Sequence, residues 1–211
     1  MVILVLGMHR SGTSLMANLL HHMGVDMGPN NDIKAPDNPR GYYEDMAFVR
    51  TNDYILKLAG GSWYNPPTTD NIRQAGETPL MQRHIRSLLN AKSNGASWGW
   101  KDPRTVLTGA IYLQFLENPY LICTHRNPLA VASSLFKRNS MPIEHGLWLT
   151  VTYESMLIGL LIKYRHIRRI HVSYEALLRD EDQVKRIGDF LGLPVTDNVY
   201  EIIDRSLRHN V

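Results

Sequence analysis

The first twenty residues hold the pattern that most constrains this chain: a short apolar run, a glycine loop and a helix. Residues 2–6 are all apolar, which is typical of a buried strand, and Gly7 and Gly12 bound the turn that follows. After Gly12 the apolar residues recur at helical spacing over residues 15–23. Backbone N–H groups at a helix N-terminus lack intrahelical partners and carry partial positive charge. The segment therefore predicts a phosphate-binding loop.

The loop departs from the nucleotide triphosphatase pattern G-x-x-x-x-G-K-[ST] at the lysine position, which holds Thr13. The cation of this loop is Arg10, whose planar fork of donors suits a phosphate or sulfonate oxygen. Ser11, Thr13 and Ser14 add hydroxyl donors. The alternative is that the glycines only form a turn and that Arg10 is a solvated surface charge. The preceding strand, the arginine and the hydroxyl cluster together favour the anion site.

Length and composition indicate one domain spanning residues 1–211, with 44% apolar residues to fill a single core. Lysine and arginine number 23 against 20 aspartate and glutamate residues, a formal net charge of +3. Without a long basic run, this balance fits a small anionic ligand better than nucleic acid. The single cysteine, Cys123, lies in an apolar run and is predicted to be a buried thiol. No metal site is predicted.

The apolar start is short and runs directly into the glycine loop, which is not the pattern of a signal peptide. The apolar residues 156–162 are far fewer than the roughly 20 that span a bilayer. We therefore expect a soluble, cytoplasmic protein without a transmembrane segment.

The rest of the chain alternates between predicted helices and strands. Helices are predicted over residues 45–58, 79–92, 129–137 and 143–164, and within 180–194 up to Gly192. Strands are predicted over residues 120–124 and 169–173, and a further strand ends at Lys101 before an apolar helical run to residue 116. Asp102 and Asn127, each followed by proline, fit helix N-caps. This alternation predicts a three-layer α/β fold in which helices flank a central parallel sheet.

Two segments lack apolar periodicity and are predicted loops, residues 29–43 and 62–70. A structureless stretch as long as the first is typically a binding loop or lid when it lies inside a compact domain. In the second loop, Trp63 and Tyr64 lie beside two prolines. We interpret them as packing anchors slightly in preference to acceptor contacts.

Ligands of open parallel sheets bind at the carboxyl ends of the strands. The predicted strands place the glycine loop, Lys101 and Arg126 at those ends. Three anion-seeking groups are therefore expected to converge on one edge of the sheet.

The chain resembles the sulfotransferases that use 3′-phosphoadenosine 5′-phosphosulfate (PAPS), in particular the short bacterial-type members, whose fold is of the P-loop type. The order and spacing of four patches together make the resemblance specific, although no single patch does. The patches are residues 7–14 (GMHRSGTS), residues 100–104 (WKDPR), Arg126 with Ser134, and residues 171–178 with 190–193.

The resemblance implies two anion sites for the two ends of PAPS. The 5′-phosphosulfate would be held by loop residues, namely His9, Arg10, Ser11, Gly12, Thr13 and Ser14. The 3′-phosphate would be held by Arg126 and Ser134. Judged without the resemblance, Ser134 is a small residue suited to close helix packing.

The implied reaction is in-line transfer of a sulfuryl group to a hydroxyl or amine of a small-molecule or glycan acceptor. Arg10, the loop amides and Lys101 would stabilise the charge that develops, and no Mg²⁺ is required. The acceptor needs a base, and the resemblance implies Glu44, which ends a G-Y-x-E segment of residues 41–44. The alternative is that Glu44 or Asp45 simply caps the following helix.

Two other functions stay open at this stage. One is a nucleotide-dependent kinase on the same scaffold, although Thr13 in the lysine position and the lack of an obvious strand-end aspartate for Mg²⁺ count against it. The other is a non-catalytic nucleotide-binding module. The residues select neither the acceptor nor an oligomeric state.

Overall fold

The computed structural model describes residues 1–29, 43–93 and 95–203 of the chain. The strands in these ranges are β1 (Val2–Leu6), β2 (Trp98–Lys101), β3 (Tyr120–His125) and β4 (Arg168–Ser173). The helices are α1 (Thr13–His22), α2 (Met46–Leu58), α3 (Thr69–Gly76), α4 (Pro79–Lys92), α5 (Thr105–Leu113), α6 (Pro128–Asn139), α7 (Ile143–Lys163), α8 (Tyr174–Arg179), α9 (Asp182–Leu191) and α10 (Asp197–Tyr200).

The four strands form one parallel sheet in the order β2-β1-β3-β4. In its register, Leu4 of β1 lies between Trp100 of β2 and Leu121 of β3. The glycine loop therefore leaves the carboxyl end of a central strand, with the ends of β2 and β3 on either side. The predicted convergence of three strand ends depends on this order.

Two apolar cores lie on opposite faces of the sheet, because successive side chains of a strand point to opposite faces. Leu4 and Leu6 of β1 belong to the core beneath α2 to α7, whereas Ile3 and Val5 belong to the core beneath α1 and α8 to α10. Helices thus cover both faces, which confirms the predicted three-layer α/β fold with a central parallel sheet. The assignment of residues 1–211 to one domain stays a prediction.

The long periodic segments were predicted well, and the short helices α3 and α8 were missed. Helices α2, α4 and α7 lie within a residue of their predicted bounds. Helix α3 begins inside the predicted loop, where Thr68 caps it by accepting a hydrogen bond from Asn71 N at 3.2 Å. Helix α8 has only six residues, too few to show a period.

Of the two predicted N-caps, one is confirmed and one is wrong. Asn127 Oδ1 accepts hydrogen bonds from Leu129 N at 2.9 Å and Ala130 N at 3.2 Å, so it caps α6. Asp102 does not cap α5, because its Oδ1 accepts from Arg104 N at 3.1 Å in a turn. That turn delays the start of α5 until Thr105.

Among the described helices, only α7 is long and apolar enough to cross a membrane when judged by length and composition. A core helix can have the same length and composition. Helix α7 buries Tyr153, Leu157 and Leu161 in the core that it shares with α5 and α6. Its buried face packs against α5 and α6.

One prediction falls on residues that the structure does not describe. Most of the first predicted loop, residues 30–42, lies outside the described ranges. Residues 204–211, after α10, also lie outside them.

Candidate active site

Both glycines of the loop between β1 and α1 are required by the backbone. A Cβ atom at Gly7 would overlap the Thr124 side chain of β3, so only glycine lets the loop pass that strand. Gly12 has φ +94°, in the left-handed region, and a Cβ there would overlap the ring of Tyr174. The glycines therefore form a turn, and the turn places the N-terminus of α1 at the sheet edge.

The N-terminus of α1 carries no side-chain cap. By contrast, Asp45 caps α2 and Asn127 caps α6. Arg10, just before it, has φ +69°, an uncommon conformation for a residue with a side chain. Uncapped N–H groups after such a turn form a concave surface that suits an anion.

The hydroxyl groups of the loop do not share one direction. Ser11 Oγ is buried and shares a hydrogen bond of 3.0 Å with Thr124 Oγ1, which itself donates to the Leu6 carbonyl at 3.3 Å. Ser14 Oγ instead accepts a hydrogen bond from Lys101 Nζ at 3.3 Å. The Ser11 hydroxyl thus ties the loop to the sheet, and the Ser14 hydroxyl faces the end of β2.

Lys101 and Glu44 form an ion pair, with Nζ and Oε1 2.6 Å apart. The Lys101 side chain is only 1% exposed and that of Glu44 is 20% exposed. Burial lowers the pKa of Lys101, and the neighbouring Glu44 carboxylate opposes that change. The structure therefore brings together three of the predicted site residues, Lys101, Glu44 and Ser14. We call Lys101 and Glu44 the lysine–glutamate pair.

Helix capping in this region falls to Asp45, not to Glu44. Asp45 Oδ1 accepts a hydrogen bond from Ala47 N at 2.9 Å, and the same carboxylate pairs with Lys92. Glu44 points instead to Lys101. The alternative that an acidic residue caps α2 is therefore right for Asp45. It does not hold for Glu44, which stays a candidate site residue.

A buried polar network around Asn52, a residue that the sequence analysis did not single out, supports the end of β2. Asn52 Nδ2 donates to Asp102 Oδ2 at 2.7 Å, and Arg104 Nη1 donates to Asp102 Oδ1 at 2.8 Å. Asn52 Oδ1 accepts from Thr108 Oγ1 at 2.7 Å and from Tyr112 Oη at 2.8 Å. Burial lowers the pKa of Arg104, but Asp102 and Asp53 outweigh it, and the net shift is upward. The network fixes the segment that carries Lys101.

One sequence signal could have revealed Asn52. It lies four residues after Phe48 and three before Ile55, on the buried stripe of α2. A polar residue on an apolar stripe needs buried partners, since an unpaired amide in the core is costly.

A second cluster joins the glycine loop to the end of β3. Arg10 Nε donates to Ser134 Oγ at 2.8 Å, and Arg126 Nη1 donates to the Arg10 carbonyl at 3.1 Å. The Arg126 guanidinium also stacks on Tyr174, 4.5 Å from the ring centre. Arg126 Nε is buried and has no hydrogen-bond partner within the described part of the chain. We call Arg10, Arg126 and Ser134 the arginine group.

The arginine group unites residues that were predicted to serve opposite ends of PAPS. Arg10 was predicted at the 5′ site, and Arg126 and Ser134 at the 3′ site; in this structure they are in direct contact. Burial lowers the pKa of Arg126, Arg10 lowers it further, and Tyr174 and Glu175 oppose this. Two adjoining cations attract an anion between them.

His9 is buried beneath the second predicted loop. Its ring lies 4.4 Å from that of Trp63, centre to centre, and the Trp63 carbonyl accepts a hydrogen bond from Tyr153 Oη at 2.9 Å. His9 Nε2 has no hydrogen-bond partner among the residues that the structure describes. Burial, with Arg104 and other nearby cations, holds the pKa of His9 well below its usual value. Trp63 thus packs on the loop, as expected of an anchor.

The structure is an α/β fold with a glycine loop after the first strand and basic residues at the ends of two neighbouring strands. The sequence profile of the sulfotransferase family matches residues 3–197, a range that contains all of the predicted site residues. The chain therefore belongs to the sulfotransferase family.

Solved sulfotransferase structures share this fold. The sulfotransferase domain from the curacin biosynthetic pathway superposes with a TM-score of 0.61 at 15% identity, covering 96% of this chain and 77% of that chain. The sulfotransferase domain of the Synechococcus PCC 7002 olefin synthase gives 0.63 at 17%, with 98% and 85% covered. Sulfotransferase STF9 from Mycobacterium avium gives 0.54 at 17%, with 98% and 67% covered. No curated protein matches the sequence.

Proposed function

We propose that this protein transfers a sulfuryl group from PAPS to a hydroxyl, or an amine, of a small-molecule or saccharide acceptor. The observation that carries the proposal is the lysine–glutamate pair beside Ser14 of the glycine loop, in a chain of the sulfotransferase family. It puts a carboxylate and a buried ammonium next to an uncapped helix N-terminus. These are the groups that proton removal and charge stabilisation require.

The donor-binding residues fit a nucleotide with a phosphate on either side of its ribose. The N-terminus of α1 offers backbone N–H groups, and the arginine group offers two guanidinium groups and one hydroxyl. The buried Arg126 Nε, without a partner in the described chain, is a donor that a phosphate oxygen would satisfy. Binding of both donor ends would exchange the Arg10–Ser134 hydrogen bond for contacts to the ligand.

Each protein group has a distinct task in the reaction. PAPS, when bound, supplies a sulfuryl group on a phosphate leaving group. Glu44 accepts the proton of the acceptor hydroxyl as the acceptor oxygen forms its bond to sulfur. The bond between sulfur and the phosphate oxygen breaks, and its electron pair stays on that oxygen. Lys101 and the N–H groups of α1 stabilise the resulting negative charge.

Titration calorimetry with three nucleotides tests the donor site. We expect 3′,5′-bisphosphoadenosine to bind the wild type more tightly than adenosine 5′-monophosphate, because only the first carries a 3′-phosphate. Arg126→Ala should weaken binding of the bisphosphate about tenfold, equivalent to about 1.4 kcal/mol. It should leave adenosine 5′-monophosphate nearly unchanged. Arg165→Ala, an exposed arginine after α7, is the matched control.

The same titration, together with a sulfation assay, distinguishes a sulfotransferase from a kinase and from a non-catalytic binding module. If ATP with Mg²⁺ binds and the bisphosphate does not, the sulfotransferase proposal fails and the kinase takes its place. If the bisphosphate binds but no acceptor from a panel of phenols, alcohols and saccharides is sulfated, the non-catalytic binding module is supported.

A further inference from the structure

A cavity of about 380 Å³ lies between α3, α5 and α7, outside the residues assigned above to the transfer site. Its size is within the range of small-molecule pockets. The three helices cover the same face of the sheet. Nothing in the proposed reaction uses this space.

The helices touch on both sides of the cavity and leave a gap between the contacts. A Cβ at Gly76 of α3 would overlap Ile111 of α5, and a Cβ at Gly109 of α5 would lie 2.9 Å from Leu160 Cδ2 of α7. At Gly159, which lines the cavity, a Cβ would meet nothing within 4 Å. Ile111 and Leu160 give the gap an apolar wall. The space is therefore bounded by close helix contacts.

Of the charged residues that line the cavity, Arg73 and Glu77 pair with each other, and Lys163 has no such partner among the described residues. Arg73 pairs with Glu77 at 2.8 Å, and Tyr164 Oη donates to the Ala110 carbonyl at 3.0 Å. Lys163 Nζ lies 5.5 Å from the centre of the Tyr164 ring and contacts no carboxylate within the described ranges. The cavity thus has an apolar wall and one end with an unneutralised positive charge.

We propose that this cavity binds a small amphipathic organic anion, with an apolar chain against Ile111 and Leu160 and a carboxylate beside Lys163. A medium-chain fatty carboxylate has this chemistry. A neutral or cationic chain of the same length lacks the group that Lys163 would hold. The site shares no residue with the proposed transfer site, so either proposal can fail without the other.

Calorimetric titration with decanoate and decylammonium tests the proposal. The wild type should bind decanoate about tenfold or more tightly than decylammonium. Gly159→Leu adds a side chain to the cavity at a position where a Cβ meets no atom within 4 Å, and it should weaken decanoate binding about tenfold or more, with binding of 3′,5′-bisphosphoadenosine unchanged. Lys163→Met should reduce the preference for decanoate over decylammonium by about threefold or more. Arg165→Met, outside the cavity lining, is the matched control.

Three results would overturn the proposal. The first is that the wild type does not bind decanoate at millimolar concentration. The second is that Gly159→Leu, shown to be folded by its thermal melting curve, binds decanoate as well as the wild type does. The third is that decylammonium binds as tightly as decanoate, which would mean that Lys163 does not hold the carboxylate.

Discussion

The lysine–glutamate pair and the arginine group stand at the ends of the two strands that flank β1, and they are built in opposite ways. In the pair, opposite charges meet and the lysine is buried. In the arginine group, Arg10 donates to Ser134 and Arg126 donates to the Arg10 carbonyl, and burial and the charge of Arg10 both lower the pKa of Arg126. A pair of opposite charges is complete within the protein, whereas adjoining cations gain most from a bound anion. The difference suits the first to proton transfer and the second to holding the donor.

The largest expected effect separates chemistry from donor binding. Glu44→Gln removes the carboxylate that accepts the proton, while the new amide oxygen can still accept a hydrogen bond from Lys101. We expect turnover to fall by about 10²–10⁴-fold. Binding of 3′,5′-bisphosphoadenosine should stay within about twofold, since Glu44 is outside the arginine group. Transfer from radiolabelled PAPS and calorimetry measure the two quantities.

An exposed glutamate gives the control for this experiment. Glu117 lies before β3, at the opposite end of the sheet from the site, and Glu117→Gln should change neither quantity. If Glu44→Gln keeps turnover within about tenfold of the wild type, Glu44 is not the base. The pair would then be a structural contact that orients the end of β2.

The sequence predicted the parts of this site that depend on local pattern. An apolar run followed by spaced glycines marks β1, the loop and α1, and Asn127 followed by proline marks the start of α6. The alternation of strand and helix patterns along the sequence also predicted where β2 and β3 end. The resemblance to a family then gave each end its predicted ligand.

What the sequence did not predict is which side chains meet. Lys101 and Glu44 are 57 positions apart, and Arg10 and Ser134 are 124 apart, so no local pattern records either contact. The turn after Asp102 was missed because its carboxylate bonds to Arg104, where a cap would bond to the first helical turn. Tertiary packing decides each of these cases.

The next prediction tests whether the arginine group is one site or two. If Arg10 holds the 5′ end of the donor and Arg126 the 3′ end, Arg10→Ala should weaken 3′,5′-bisphosphoadenosine and adenosine 5′-monophosphate equally, by about tenfold. Ser134→Ala should weaken only the bisphosphate, by about threefold to tenfold, because a hydrogen bond to a charged group is lost. Calorimetric titration of both nucleotides measures these effects.

A different effect of Arg10→Ala on the two nucleotides would change the role assigned to Arg10. The Arg10–Ser134 hydrogen bond links the two predicted ends of the site. If Arg10→Ala weakens the bisphosphate alone, Arg10 serves the 3′-phosphate together with Ser134. The 5′ end would then depend on the N-terminus of α1 and on Lys101.

The smallest expected effect concerns His9, whose pKa is lowered in part by cations of both regions, Lys101 and Arg10. The ordinary pKa of histidine is 6.5, and burial is the largest cause that lowers the pKa of His9. The nearby cations lower it further; they are Arg104, Arg138, Lys101 and Arg10. As the pH falls through 6.5, the unfolded chain binds a proton that folded His9 does not. The free energy of unfolding should therefore decrease as the pH falls from 6.5 towards the folded pKa, by at most about 1.4 kcal/mol per pH unit for one proton.

Urea unfolding between pH 7.5 and 5.5 measures this slope, and His9→Gln should make it shallower. The comparison is between slopes, so a uniform loss of stability in the variant does not affect it. His171 contributes in the same direction, because burial and the adjacent His125 lower its pKa, and His171→Gln measures that share separately. An unchanged slope in His9→Gln would mean that His9 takes up its proton equally in the folded and unfolded chain. Because burial is the largest cause of the lowered pKa, the packing of Trp63 over His9 would then not hold in solution, and His9 would not report the charges of the two regions.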